Sequence, residues 1–109
     1  MSRSPATTDP FAATARVLVT TRGEHRLEPM SVKGRYFLFA SRPPLAVMLD
    51  ARTVLALRLC EDRPTVGEVL TRHRELTRAR GVSEQASDES VHAALTALRA
   101  SGVIDVVDA

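Results

Sequence analysis

Three histidines and one cysteine are the residues of this 109-residue chain best suited to chemistry, and their spacing argues against catalysis. His25, His73 and His92 fall on separate segments. No His-x-x-x-His, cysteine pair or glycine-rich phosphate loop accompanies them, so neither a metal nor a nucleotide site has a motif behind it. His73 recurs with Val66, Val69, Leu70 and Leu76 at the spacing of one helix face. That placement fits a buried histidine with a satisfied partner better than a ligand. Cys60 stands beside Glu61 and Asp62, whose negative charge raises a thiol's pKa and quiets it, so it reads as a small core residue. Neither an enzyme nor a cofactor is expected.

Arginine is the other candidate chemistry. Lys and Arg number 15 against 13 Asp and Glu, a net charge of +2, which is a thin margin for nucleic-acid binding. Arg72, Arg74, Arg78 and Arg80 cluster on one stretch. A solvated helix face with a Glu68–Arg72 pair at i,i+4 is favoured there over a phosphate-binding patch. A DNA-reading helix carries Arg or Lys in its N-terminal half, whereas the last helix of this chain is expected to open with Asp88 and Glu89. Nucleic acid is therefore disfavoured as a partner, and a DNA-binding regulator is the second reading.

The length allows one domain, and 44% apolar with 26% charged residues is ordinary for a globular chain with a single core. One cysteine excludes an internal disulfide and makes a reducing compartment the default. No apolar run approaches the roughly 18 residues of a membrane span, and the start lacks the apolar centre of a signal peptide. The chain reads as cytoplasmic with no membrane partner.

Residues 1–15, rich in Ser, Thr, Pro and Ala, read as a disordered arm ahead of a domain over 16–109. Residues 16–21 are strand-like, Arg22-Gly23 makes a turn, and residues 26–32 form a return strand whose Pro29 argues for an edge or a bend. Residues 35–40 are the strongest strand. Pro43-Pro44 then breaks the chain before a third strand over 45–49. Proline cannot donate to a neighbouring strand and is found at edges and strand starts, so this strand is expected to have a free side. Asp50 caps a first, apolar helix over 51–60, with Arg52 and Thr53 as its polar interruption. Thr65 and Glu68 form a capping box for a second helix. Ser87 caps a third helix with a core stripe of Val91, Ala94, Leu95 and Leu98, which Gly102 closes. The expectation is an α+β fold, winged-helix-like: a three-stranded antiparallel sheet, with room for an extra N-terminal hairpin, followed by three helices.

Three runs then carry a family likeness. Leu49-Asp50-x-x-x-x-x-Leu57-x-Leu59-Cys60-Glu61-Asp62, Pro64-Thr65-Val66-x-Glu68-Val69-Leu70, and Val91-x-x-x-Leu95-x-x-Leu98-x-x-x-Gly102-Val103-Ile104 together resemble the PqqD-like family, the RiPP precursor peptide recognition elements. The likeness spans residues 30–105 and rests on order and spacing, since most matched positions are merely apolar. Two departures stand out. The family usually has Asn where this chain has Asp50, and usually has a Gly after the Cys-Asp pair where this chain has Asp62-Arg63. The second bears on the geometry of the first helix–helix turn.

The resemblance implies a peptide-binding chaperone of natural product biosynthesis without catalysis of its own. The leader of a ribosomally made precursor would add as a fourth strand and be presented to a separate maturation enzyme, a radical enzyme or a cyclodehydratase. By position, one wall of the groove would be Leu45, Ala46, Val47, Met48 and Leu49. The other would be the outer face of the third helix, with Ser90, His92, Ala93, Thr96, Ala97, Arg99 and Ala100. Ala93, Ala97 and Ala100 would either admit a close peptide backbone or simply serve as good helix formers. His92, Thr96 and Arg99 would either meet acidic leader side chains or face solvent. A homodimer through the open sheet edge is a further alternative.

Overall fold

A computed structural model describes residues 11–107. Its elements in chain order are β1 (Arg16–Val19), β2 (His25–Pro29), β3 (Arg35–Ser41), β4 (Pro44–Asp50), α1 (Ala51–Leu59), α2 (Val66–Arg78), α3 (Glu84–Ala100) and β5 (Ile104–Val107). The α+β expectation holds: β2, β3 and β4 make an antiparallel three-stranded sheet in that order, and three helices follow. The additional two-stranded sheet is not a local hairpin, however. β1 pairs with β5, from Arg16 opposite Val107 to Val19 opposite Ile104, which ties the start of the fold to its end.

Capping chemistry sets the helix starts. The Asp50 carboxylate accepts from the Thr53 N–H at 2.8 Å and the Thr53 hydroxyl at 2.7 Å, so Thr53 is a buried partner of the cap and not a polar interruption. Those bonds hold the Asp50 carboxyl below its usual range. Both arms of the Thr65–Glu68 box form. Helix α3 begins a turn earlier than its apolar stripe suggests, because Ser83, not Ser87, is the cap and accepts from the Ala86 N–H at 3.1 Å. Ser87 is buried instead, with its hydroxyl on His73.

Val17, Leu38, Leu57, Val66, Val69, Val91, Leu95, Leu98 and Val103 fill the core between the sheet and the helices. Each buried aliphatic side chain of this kind contributes about 1.5–3 kcal/mol relative to exposure. On α2 the inward face is Val66, Val69 and His73, with Leu76 exposed beyond it.

The expected arm does not include residues 11–15. Phe11 and Ala15 are buried, and residues 11–15 dock on the start of α2; residues 1–10 lie outside the described residues. The Ala13 and Ala15 carbonyls accept from the N–H groups of Gly67 and Val66 at 2.9 and 2.8 Å. Two of the donors that a helix start leaves unpartnered are thereby satisfied, and the capping box takes a third. The turn between α1 and α2 closes through Arg63, whose φ of 56° lies in the left-handed region, so an arginine bears the roughly 1–2 kcal/mol that a glycine would avoid.

Candidate functional site

Whether β4 can receive a strand depends on which of its main-chain groups face outward. The ladder answers this by alternation. The Met30 N–H donates to the Arg35 carbonyl across β2–β3, and the Ala51 N–H donates to the Gly34 carbonyl beyond the end of β3–β4. In an antiparallel pair, hydrogen-bonded and non-bonded rungs alternate. The register therefore makes Tyr36–Leu49, Leu38–Val47 and Ala40–Leu45 the bonded rungs of β3–β4. The N–H and C=O of Leu45, Val47 and Leu49 point at β3, and those of Ala46 and Met48 point away from the sheet.

The same alternation accounts for both prolines. Pro29 is opposite Tyr36 and Pro44 opposite Ser41, each on a rung that needs no donor from it. The free side read from Pro43-Pro44 is present among the described residues, where β4 has β3 as its only partner in the sheet.

Side chains split with the same period. Leu45, Val47 and Leu49 turn toward the core, while Ala46 and Met48 are exposed, Met48 to 55%. Ala46 and Met48 lie opposite Phe39 and Phe37, whose rings stack with centroids 5.4 Å apart. The Arg26 guanidinium lies 5.6 Å over the Phe39 ring. Along β3 and β4 the outward face of the sheet is thus apolar, aromatic and close to the open edge, while β2 adds the exposed Arg26–Glu28 ion pair. Sequence reasoning missed this face, although the alternation of Phe37, Leu38 and Phe39 was there to reveal it.

The outer face of the third helix has two flanks. At about 100° per residue, His92, Thr96 and Arg99 occupy one flank of α3 and Ser90, Ala93 and Ala97 the other. The first flank meets the chain's own N-terminal segment. Phe11 stands edge-on to His92 at 6.2 Å and lines a cavity of about 450 Å³ with Thr96, Arg99 and Ala100. Leu45 lines a different cavity, of about 380 Å³, with His25, Phe39 and Ser41. Leu45 and the His92 flank thus border different cavities. Strand β4 reaches α3 at the helix's C-terminal end, where a Cβ on Gly102 would stand 3.7 Å from Leu45 Cδ2.

The remaining candidates behave as structural groups. His73 is 4% exposed, with Nδ1 2.6 Å from the Ser87 hydroxyl oxygen, and burial lowers its pKa. The Cys60 thiol is pushed up to about 12, by burial first and by Asp62 second. The arginine cluster is largely neutralised. Arg72 grips Asp62 at 2.9 and 3.1 Å rather than Glu68, which the capping box engages. Arg74 grips Asp88 at 2.8 and 2.6 Å, so Asp88 serves an ion pair and not the first turn of α3. Arg78 stands 3.9 Å from Glu84.

Among the described residues no group of three or more His, Cys, Asp or Glu could hold a metal ion, and no helix is long and apolar enough to cross a membrane. No family model, curated protein or solved structure matches the chain.

Proposed function

We propose that the chain is a peptide-recognition module that takes an extended segment as a fourth strand along β4. Its target in this reading is the leader of a ribosomally synthesised precursor, presented to a separate modifying enzyme. One observation carries the proposal: the outward N–H and C=O groups of Ala46 and Met48, on an edge whose exposed side chains are uncharged. Main-chain pairing at such an edge supplies affinity without regard to sequence, and side chains beside it read alternate peptide residues. Phe37, Phe39 and Met48 offer an apolar surface on one face, and Leu45 and Val47, half-buried, on the other. Edges that are not meant for pairing are commonly blunted by charged side chains, Pro or a bulge; β4 carries only Pro44 and Asp50, at its first and last residues.

The carboxylates that pair Arg72, Arg74 and Arg78 weaken the DNA-binding alternative by offsetting most of the positive charge of that cluster. The test is selection of extended peptides from a random library against the wild-type chain, followed by binding to Ala46→Pro. That proline removes an outward donor and leaves the bonded rungs intact, so affinity is expected to fall at least tenfold with the fold retained. Equal affinity for both proteins, or binding to duplex DNA that weakens steeply between two salt concentrations, would count against the proposal.

A further inference from the structure

Two arginines adopt the left-handed backbone region, Arg22 at φ 54° and Arg63 at φ 56°, and both line one cavity of about 650 Å³. Such positions ordinarily go to Gly, Asn or Asp, because a longer side chain crowds the backbone there. Arg22 precedes Gly23 in a tight turn closed by the Glu24 N–H on the Thr21 carbonyl at 2.9 Å, a setting that favours Asn-Gly or Gly-Gly. Neither fold element uses the guanidinium groups. Among the described residues Arg22 and Arg63 make no ion pair, and the bond that ties Arg63 to β1 uses its main-chain oxygen, which accepts from Arg16 Nη1 at 2.6 Å. Two side chains thus stand where a glycine would serve the fold at least as well, and both border the same space. Strained residues held in this way concentrate at ligand sites.

A third donor points the same way. The Thr20 N–H donates across to the Val103 carbonyl, whereas the Val17 N–H donates on the opposite side, to Pro64. Alternation sends the Val19 N–H to the side of Val17, where the segment containing Glu61 and Arg63 runs. Val19, Glu61 and Asp105 also line the cavity, and neither carboxylate enters an ion pair among the described residues. The space is therefore lined by two arginines, two acidic residues and the Val19 main chain, with no net formal charge among them. A simple anion would meet Glu61 and Asp105 unfavourably, and a simple cation would meet the arginines.

We infer that this cavity binds an amphoteric small molecule, its oxyanion on Arg22, Arg63 and the Val19 N–H and its ammonium on Glu61 and Asp105. The volume lies within the roughly 300–1,000 Å³ of small-molecule sites. The site shares no residue with the β4 edge and stands or falls separately from it. Carboxylate and phosphate share the required chemistry, and the test separates them.

The experiment follows the amide signals of Val19, Arg22 and Arg63 in the full chain during titration with glycylglycine, phosphoethanolamine, acetate and inorganic phosphate. One amphoteric probe is expected to give saturable shifts at all three residues, with the matching simple anion at least tenfold weaker. Preference for glycylglycine assigns a carboxylate, and preference for phosphoethanolamine a phosphate. The double variant R22G/R63G is expected to melt no lower than wild type and to bind that probe at least tenfold more weakly. Absence of saturable shifts with both amphoteric probes, an anion that binds as tightly, equal binding by the double variant, or a lower melting temperature for it would each overturn the inference.

Discussion

The Nδ1 of His73 lies 2.6 Å from the hydroxyl oxygen of Ser87, and both residues are buried where α2 meets α3. One position further along each helix, Arg74 holds Asp88 through two hydrogen bonds. The two helices are thus joined at one level by a neutral bond inside and a charged one at its margin. Burial keeps the His73 pKa below its ordinary value, and the Asp88 carboxylate opposes that only in part.

The direction of the pH effect follows. The unfolded chain takes up the His73 proton more readily than the folded one, so this stabilisation is complete above about pH 6.5 and declines as pH falls through that value. Urea midpoints of the wild type are expected to drop between about pH 7.5 and 5.5, and those of His73→Gln to drop less. A wild type equally stable at both pH values would contradict the burial argument.

Gly67 lets the N-terminal segment dock. A Cβ there would sit 3.1 Å from the Ala13 carbonyl oxygen, which is held in place by the Gly67 N–H. Elsewhere in a helix, Gly→Ala stabilises by about 1 kcal/mol. Here the gain is expected to vanish, with hydrogen exchange at Val66 and Gly67 accelerated. A Gly67→Ala protein with a higher melting temperature and unchanged exchange would show that Ala13 yields freely.

Asp50 caps α1 with a carboxylate where the resembled family has an amide. Asp50→Ala is expected to cost about 1 kcal/mol and Asp50→Asn only a few tenths, because Asn accepts the Thr53 N–H equally well. Its lowered pKa adds an acid limb to stability, present above the ordinary carboxylate value and lost as pH falls through the folded one. Denaturation midpoints of Asp50→Asn should therefore lose less than wild type below about pH 4.

Cys60 is fully buried with its pKa near 12, so at neutral pH it is an un-ionised thiol behind packed side chains. Thiol reagents at pH 8 are expected to label the native chain only at its global opening rate, with labelling completed within minutes in denaturant. Fast native labelling would place the thiol at the surface.

Much of the scaffold was legible because its signals are local. Asp50, the Thr65–Glu68 box and the α3 stripe each act within a few residues, and Pro43-Pro44 marked β4 as an edge by the donor it lacks. What escaped was set by distant partners. Nothing local in residues 16–19 says that β5 is their mate, or that the lone Phe11 will reach His92. Glu84-Gln85-Ala86 carries no large apolar residue to announce the first turn of α3, so Ser87 took the place that belongs to Ser83. The contact on α3 is of the same kind: its outer face has two flanks, and Phe11 of the N-terminal segment lies against one of them.

The proposed function requires β4 to present the Ala46 and Met48 main chain to an incoming strand. Val47→Pro is a poor probe of it, since the Val47 N–H faces β3 and its loss disturbs the sheet itself. The direct measurement is residue-resolved amide exchange across β4, with and without a library-selected peptide. Exchange at Ala46 and Met48 is expected to slow at least tenfold on binding, while Leu45 and Val47 change little because β3 already protects them. Unchanged exchange at Ala46 and Met48 under saturating peptide would contradict the proposed function.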